Sequence, residues 1–334
     1  MSLHPAVAAV RLAVRRTLAD LEPGDAVVVA CSGGADSLAL LAATVFEAER
    51  GSWQVIGATV DHGLQEGSAE HADRVVGQMR ALGVAESVTA RVRVEAPGLG
   101  PEAAAREARY DVLAQIAERF SARTVLLGHT LDDQAETVLL GLTRGSGGRA
   151  LQGMRRAFEV YRRPLLDLTR ADTETACLVQ GIDFWADPHN SDDRFTRVRV
   201  RTKVLPMLEE ELGPGVAATL ARTADLLRAD TAYLDAVAAD ALETAREGDR
   251  LAVEALQQMP EAVRTRVLRL AAIESGALAA EVFHAHVLEV DRLVTDWHGQ
   301  KWVDLPGHVR ASRHQDHLSF GTHPGEVDRP PPVS

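Results

Sequence analysis

The order of apolar and polar positions divides this chain into two parts of different character. In the first, short apolar runs at Ala26–Cys31, Trp53–Val60, Ser87–Val94 and Thr124–Gly128 alternate with segments of helical periodicity at Asp36–Glu47, Ser68–Leu82 and Pro101–Phe120. Apolar runs of that length, bounded by glycine and polar residues, predict buried strands. Strand and helix in alternation predict an α/β fold with a doubly wound parallel sheet, helices on both faces. Ahead of it, Met1–Asp20 carries Arg11, Arg15 and Arg16 among alanines, valines and leucines, the pattern of an amphipathic first helix. From Ala186 the pattern becomes mostly helical, at Val204–Glu211, Val216–Ala245, Pro260–Ser275 and Ala280–Asp296. Lys301–Phe320 alternates around Pro306-Gly307 and predicts a small hairpin, and the proline-rich stretch Gly321–Ser334 predicts disorder. The domains expected are therefore 1–190, an α/β catalytic domain, 191–320, a smaller and mostly helical domain, and 321–334, a tail.

Composition narrows the class. At 334 residues and 46% hydrophobic, the chain has material for about two domains. It holds no long uncharged apolar run, so no membrane span is expected. The arginines of the first helix exclude a secretory signal, which makes the expected location cytoplasmic. With 2 cysteines, Cys31 and Cys177, there is no disulfide framework and no four-cysteine zinc site. Cys31, ending the first strand, is either a small buried residue or a catalytic thiol. A net charge of −12, from 36 basic and 48 acidic residues, argues against indiscriminate nucleic-acid binding. A nucleic-acid partner would have to meet a local basic patch. Two exist: Arg144 and Arg149 around a glycine loop with Arg155, Arg156, Arg162 and Arg163 following, and the run Arg194, Arg197, Arg199, Arg201, Lys203. Each reads as a solvated face or an RNA contact; two in an acidic chain favour RNA.

The chemistry centres on Ser32-Gly33-Gly34-Ala35-Asp36-Ser37, between the first strand and the helix after it. Adjacent glycines allow close backbone approach to a bulky anion. The hydroxyls of Ser32 and Ser37, with the free N–H groups of the helix start, form a phosphate cradle. No lysine follows Gly34, so this is not the commoner nucleoside-triphosphate loop, and it lacks the three spaced glycines of the dinucleotide fingerprint. After the fourth strand, His129, Asp133 and Glu136 fall on one helical face. Acids there either cap the helix or, with Asp36, attract a hard cation, magnesium being the natural one. Arg106 and Arg109 share a face and read as a solvated pair or as a grip on phosphate. His62, ending the second strand, reads as a turn residue, a base or a proton carrier.

Together these segments resemble the tRNA(Ile)-lysidine synthetase family. The matching strings are Ser-Gly-Gly-Ala-Asp-Ser at 32–37, Val-Asp-His-Gly-Leu at 60–64 and Ala-Arg-Glu-Ala-Arg-Tyr at 105–110. Gly-His-Thr-Leu-Asp-Asp-Gln-Ala-Glu-Thr at 128–137, Arg-Gly-Ser-Gly at 144–147, Arg-Arg-Pro-Leu-Leu at 162–166 and Asp-Pro-His-Asn-Ser-Asp at 187–192 complete the set. The chain departs from the pattern at Gln65, where the family usually has arginine, and at Val198, where an asparagine is frequent. The resemblance implies an adenine nucleotide α-hydrolase-like fold and an ATP- and Mg2+-dependent ligase. Such an enzyme joins free L-lysine to C2 of the first anticodon cytidine of an isoleucine tRNA with a CAU anticodon. It implies Ser32, Gly33, Gly34, Ala35, Asp36, Ser37 and His62 as ATP contacts and Asp36 and Asp133 as metal ligands. It further implies that Asp36, Asp133, Glu136, His129, Arg106 and Arg109 act in catalysis, His129 and Glu136 orienting or deprotonating the lysine amine. Arg144, Arg163, Arg197, Arg199, Arg201 and Lys203 would meet the tRNA. A homodimer remains one open assembly. The rivals are a tRNA thiolase on the same loop, for which Cys31 and Cys177 offer no Cys-x-x-Cys, and a non-catalytic nucleotide sensor, against which the intact acids speak.

Overall fold

The computed structural model describes residues 3–61, 67–92, 101–144, 148–185 and 192–322, with the side chains of 101–105 and 144 outside that description. The chain divides into two compact units, residues 1–143 with 151–224, and residues 144–150 with 225–334. In chain order the elements begin with α1 (Pro5–Thr17), β1 (Ala26–Ala30), α2 (Ala35–Gly51), β2 (Gln54–Asp61), α3 (Ser68–Ala81) and β3 (Glu86–Arg91). They continue with α4 (Pro101–Arg119), β4 (Ala122–Leu126), α5 (Leu131–Arg144), α6 (Gly148–Leu151), β5 (Ala157–Phe158), β6 (Tyr161–Arg162) and α7 (Arg170–Val179).

The first unit holds a sheet in the order β3-β2-β1-β4-β6-β5. All pairings are parallel except that of β5 with β6. β1 is buried on both faces, as its unbroken apolar run requires. Val27 and Val29 join a core with α1, α2, α3 and α7 on one side, whereas Ala26 and Val28 meet Leu113, Ile116 and Ala117 of α4 on the other. Chain order reverses at β1, which has β2 on one flank and β4 on the other. The crevice at the carboxyl ends of β1 and β4 is where such sheets bind ligands.

Beyond α7, helix forms earlier than its local periodicity suggests. α8 (Thr196–Arg199), a π-helical turn at Val200–Val204 and α9 (Leu205–Leu212) follow one another without a break, Pro206 being tolerated in the first turn of α9. Val200 and Leu205 pack on Ala135 and Leu140 of α5, which brings the basic run beside the acids of α5. α10 (Val216–Ala245) then leads into the second unit.

That unit contains β7 (Arg246–Glu247), β8 (Arg250–Ala252), α11 (Val253–Gln258), α12 (Glu261–Glu274), α13 (His284–Thr295), β9 (Trp302–Leu305), β10 (Val309–His314) and β11 (His317–Thr322). The expected hairpin is part of a five-stranded antiparallel sheet in the order β7-β8-β11-β10-β9. Leu251, Val309, Ala311 and Leu318 of that sheet share a core with Leu256, Val267, Leu268, Val290 and Leu293 of the helices. Among the described residues, no helix is long and apolar enough to cross a membrane. β11 extends through Thr322, and the remainder of the stretch expected to be a tail, 323–334, lies outside the described residues.

Candidate nucleotide-binding active site

β1 runs directly into the glycine loop, which turns on Gly33 at φ +84°, a conformation that favours glycine. A Cβ at Gly33 would also sit 2.7 Å from Val75 Cγ2 and 3.0 Å from His71 Cε1. At the end of β4, a Cβ on Gly128 would lie 3.1 Å from the Asp36 carbonyl carbon and the Ser37 nitrogen. Backbone cannot yield there, so Gly128 lets the β4 end close against the start of α2.

The loop is braced through its carbonyls. The Ser37 hydroxyl donates to the Gly34 carbonyl (2.9 Å) and accepts the Ser32 N–H (3.1 Å). Trp185 N–H donates to the Gly33 carbonyl (2.9 Å), and His71 Nε2 lies 2.9 Å from the Ser32 carbonyl. The His71 and Trp185 rings pack at 4.0 Å between centroids, tilted by 40°. Ser37 therefore works as an internal brace. α2 begins at Gly34 with no side-chain cap, which leaves its first N–H groups for an anion. They open on a cavity of about 920 Å3 whose wall includes Asp36, Arg109, His129, Asp133, Arg170 and Arg201. That volume suits a nucleotide-sized ligand.

Asp36 and Asp133 stand side by side in this cavity, whose lining also includes Asp61, Glu70 and Glu174. Burial pushes the Asp36 carboxyl up to about 6, the nearby Asp133 charge adding to the rise, while the Thr173 hydroxyl on Oδ1 and Arg170 oppose it. Asp133 divides its oxygens: Oδ2 accepts the Thr130 N–H (2.9 Å) and hydroxyl (3.2 Å), capping α5, and Oδ1 lies 3.2 Å from Arg170 Nη2 and 3.3 Å from Arg201 Nη2. The cap reading of this acid is seen directly, and the same side chain also lines the cavity. Two mutually repelling carboxylates plus phosphate oxygens form a donor set that fits magnesium. Among the described residues no group of three or more His, Cys, Asp or Glu could hold a metal by itself.

Glu136 is fully buried and held by arginine. Arg201 Nε reaches Oε1 at 2.6 Å, and Arg197 Nε reaches Oε2 at 2.9 Å. Arg170 and Thr173, which the sequence did not single out, reach the site from α7. The local signal was the capping box Thr169-x-x-Asp172, which fixes where α7 starts but not how far Arg170 extends.

The PP-loop domain model matches residues 9–208, and the model of the TilS substrate binding domain matches residues 251–319. The tRNA(Ile)-lysidine synthase of Thermobifida fusca is 51% identical over 315 residues, spanning 94% of this chain and 97% of that protein. The chain belongs to the tRNA(Ile)-lysidine synthase family. The family member from Salinispora arenicola is 50% identical over 338 residues, 99% of each chain, and that from Streptomyces coelicolor 48% identical over 343 residues, 94% of this chain and 97% of that one. Among solved structures, the U34-tRNA thiolase NcsA from Methanococcus maripaludis superposes with a TM-score of 0.56 at 18% identity, over 67% of this chain and 80% of its own. That likeness is one of fold.

Within this member of the family, the basic residues expected at the RNA surface part company. Arg197 and Arg201 turn inward to Glu136, and Arg163 is buried with its Nε donating to His129 Nδ1 (3.2 Å). Arg199 and Lys203 are exposed, Lys203 pairing with Asp193 at 2.5 Å. Arg106 is exposed beside the Tyr110 ring. Arg109 stands in the cavity wall, where burial lowers its pKa, and has no bonded carboxylate among the described residues. Burial, then Arg163, Arg109, Arg197 and Arg106, push His129 well below the usual imidazole range. His62, the loop 145–147, the Arg144 side chain and the segment 187–191 lie outside the described residues.

Both thiols abut the glycine loop. Cys31 Sγ lies 3.8 Å from Ser37 Oγ, and Cys177 Sγ donates to the Ala35 carbonyl at 3.4 Å. Burial raises both, Cys177 to about 12, so neither is a nucleophile. The native protein at pH 8 is expected to give no reaction with an aromatic disulfide reagent until denaturant is added. A thiol titrating within seconds in the native state contradicts this reading.

Proposed function

We infer that this chain catalyses ATP-dependent lysidine formation on an isoleucine tRNA with a CAU anticodon, by way of an adenylated cytidine. The observation that carries this reading is one cavity holding an uncapped helix start, Asp36, Asp133 and Arg109, which has no bonded carboxylate among the described residues, at the β1–β4 crevice. Family membership supplies the substrate class.

In the first step the cytosine C2 oxygen attacks the α-phosphorus of ATP and pyrophosphate leaves. The N–H groups opening α2 hold the departing phosphates, and Arg109 faces the charge that builds at the α-phosphate. Asp36 and Asp133 would hold magnesium, which when bound neutralises phosphate charge. In the second step the lysine ε-amine attacks C2, AMP departs and the amine sheds a proton. Its ordinary pKa near 10.4 leaves little free base at pH 7. Arg109 in the same wall, with no bonded carboxylate among the described residues, disfavours the ammonium form and promotes loss of that proton to solvent. Glu136, facing the guanidiniums of Arg170, Arg197 and Arg201, holds Arg197 and Arg201 in place and is not free to take the proton.

We assign the exposed Arg199 and Lys203 to the tRNA backbone, the second unit to the tRNA body, and the enzyme to the cytoplasm. Arg199→Ala and Lys203→Ala are each expected to weaken tRNA binding and to reduce the slope of log affinity against log salt by about 1. An unchanged slope in both places the contact elsewhere. The reaction itself is tested by ATP–pyrophosphate exchange. Exchange that requires isoleucine tRNA supports an adenylated RNA intermediate; exchange independent of tRNA, or none, contradicts it.

A further inference from the structure

His129 has two ring nitrogens, and the structure accounts for one of them. Arg163 Nε donates to Nδ1 at 3.2 Å. Arg163 is itself held in place: it is buried, its Nη1 donates to the Arg155 carbonyl, and its Nη2 donates to the Tyr110 hydroxyl at 3.0 Å. Tyr110 is anchored in turn by the Tyr161 hydroxyl, which donates to its carbonyl. An imidazole nitrogen that accepts from a guanidinium carries no proton, so a neutral ring must carry it on Nε2. His129 lines the nucleotide cavity. Its Nε2 has no partner among the described residues and is not among the buried unsatisfied polar atoms, which leaves it open to the cavity.

We propose that Arg163 is a positioning residue that fixes His129 as a neutral hydrogen-bond donor, its Nε2–H directed at an oxygen of the reacting nucleotides. The inference rests on the functional reading above and changes the role given to two residues in the sequence analysis. His129 is not the base that relieves the lysine amine of its proton, because its proton-accepting site is already occupied. Arg163 is not an RNA contact, because every polar group of its fork faces the protein interior. The charges that act most strongly on the ring are Arg163 from the end of β6, Arg109 and Arg106 from α4 and Arg197 from α8, while Asp36, Asp133, Arg170 and Arg201 line the same cavity. Burial and these four arginines disfavour the imidazolium, so the donor form persists as pH falls.

The test uses the full-length protein with 15N-labelled histidine, the His129 ring assigned by its loss in His129→Gln. The expected spectrum shows an unprotonated Nδ1 and a protonated Nε2, unchanged from pH 8 to pH 5.5. A proton on Nδ1, or titration of this ring near pH 6.5, overturns the proposal and needs no variant of Arg163 to fold. Kinetically, Arg163→Lys keeps the charge but loses the fork. It is expected to lower the rate of pyrophosphate exchange by 10-fold or more, with tRNA affinity and its salt slope unchanged. Loss of tRNA affinity with an unchanged exchange rate would return Arg163 to the RNA surface. A wild-type protein with the expected spectrum but no lysidine product would count against the functional reading and not against the tautomer.

Discussion

Asp36→Asn is expected to abolish adenylate formation and, at pH 7, to make the protein more stable. The activity loss follows from removing one of the two carboxylates proposed to hold magnesium. The gain in stability follows from burial. The folded Asp36 carboxyl titrates at about 6 against 3.8 in its reference state, so folding favours the protonated form. Its contribution to stability is fully present below pH 3.8 and is lost as pH rises through 6. Two pH units correspond to about 3 kcal/mol at most, an upper bound because asparagine also forgoes the Arg170 charge 3.8 Å from Oδ2. Thermal melts of wild type and variant should differ most at pH 7 and converge near pH 4. A variant that melts below wild type at pH 7, or that still exchanges pyrophosphate, contradicts the assignment. Stability given up at a functional carboxylate is a common trade in enzymes.

The opposite sign is expected at Glu136. Its carboxylate is fully buried between Arg197 and Arg201. Glu136→Ala leaves three half-buried guanidiniums, Arg170, Arg197 and Arg201, with Asp133 the nearest remaining carboxylate of two of them, and removing one partner from such a network costs about 3–5 kcal/mol. It also releases Arg201 from its position 3.3 Å from Asp133 Oδ1, so lysidine formation should fall with stability. Urea unfolding measures the first effect. Glu136→Gln, which keeps the shape and an acceptor oxygen, separates the two by retaining more stability than activity. A midpoint within 1 kcal/mol of wild type for Glu136→Ala would show that the arginines are neutralised elsewhere.

The reach of the sequence is clearest in these residues. The central strands of the parallel sheet announced themselves because burial on both faces demands unbroken apolar runs, as in Val27–Val29. β5, β6 and β7 did not, since strands of two residues carry no periodicity. The glycine loop was legible because local chemistry defines it; the single face expected for His129, Asp133 and Glu136 was not, since His129 precedes α5 and Glu136 is buried against arginines while His129 and Asp133 line the cavity. Nor was the basic run legible. Arg197 and Arg201 lie four apart on one stripe, Arg199 and Lys203 four apart on another, and spacing separates the stripes without saying which one faces inward. That is decided by Glu136, about 60 residues earlier in the chain, through the packing of α5 on Val200 and Leu205. Arg170 escaped for the same reason: its partners Asp36 and Asp133 come from distant turns. Gly128 read as the end of a strand, and only the fold shows a Cβ there meeting the Asp36 and Ser37 backbone.

The most direct test of the whole account is chemical. Purified protein, ATP, magnesium and isotope-labelled lysine are incubated with an isoleucine tRNA transcript bearing a CAU anticodon, and the anticodon nucleosides are then weighed by mass spectrometry. The account predicts a cytidine carrying one lysine at the first anticodon position, formed only with ATP and absent in Asp36→Asn. An unmodified cytidine, or one in which sulfur has replaced oxygen, would contradict it.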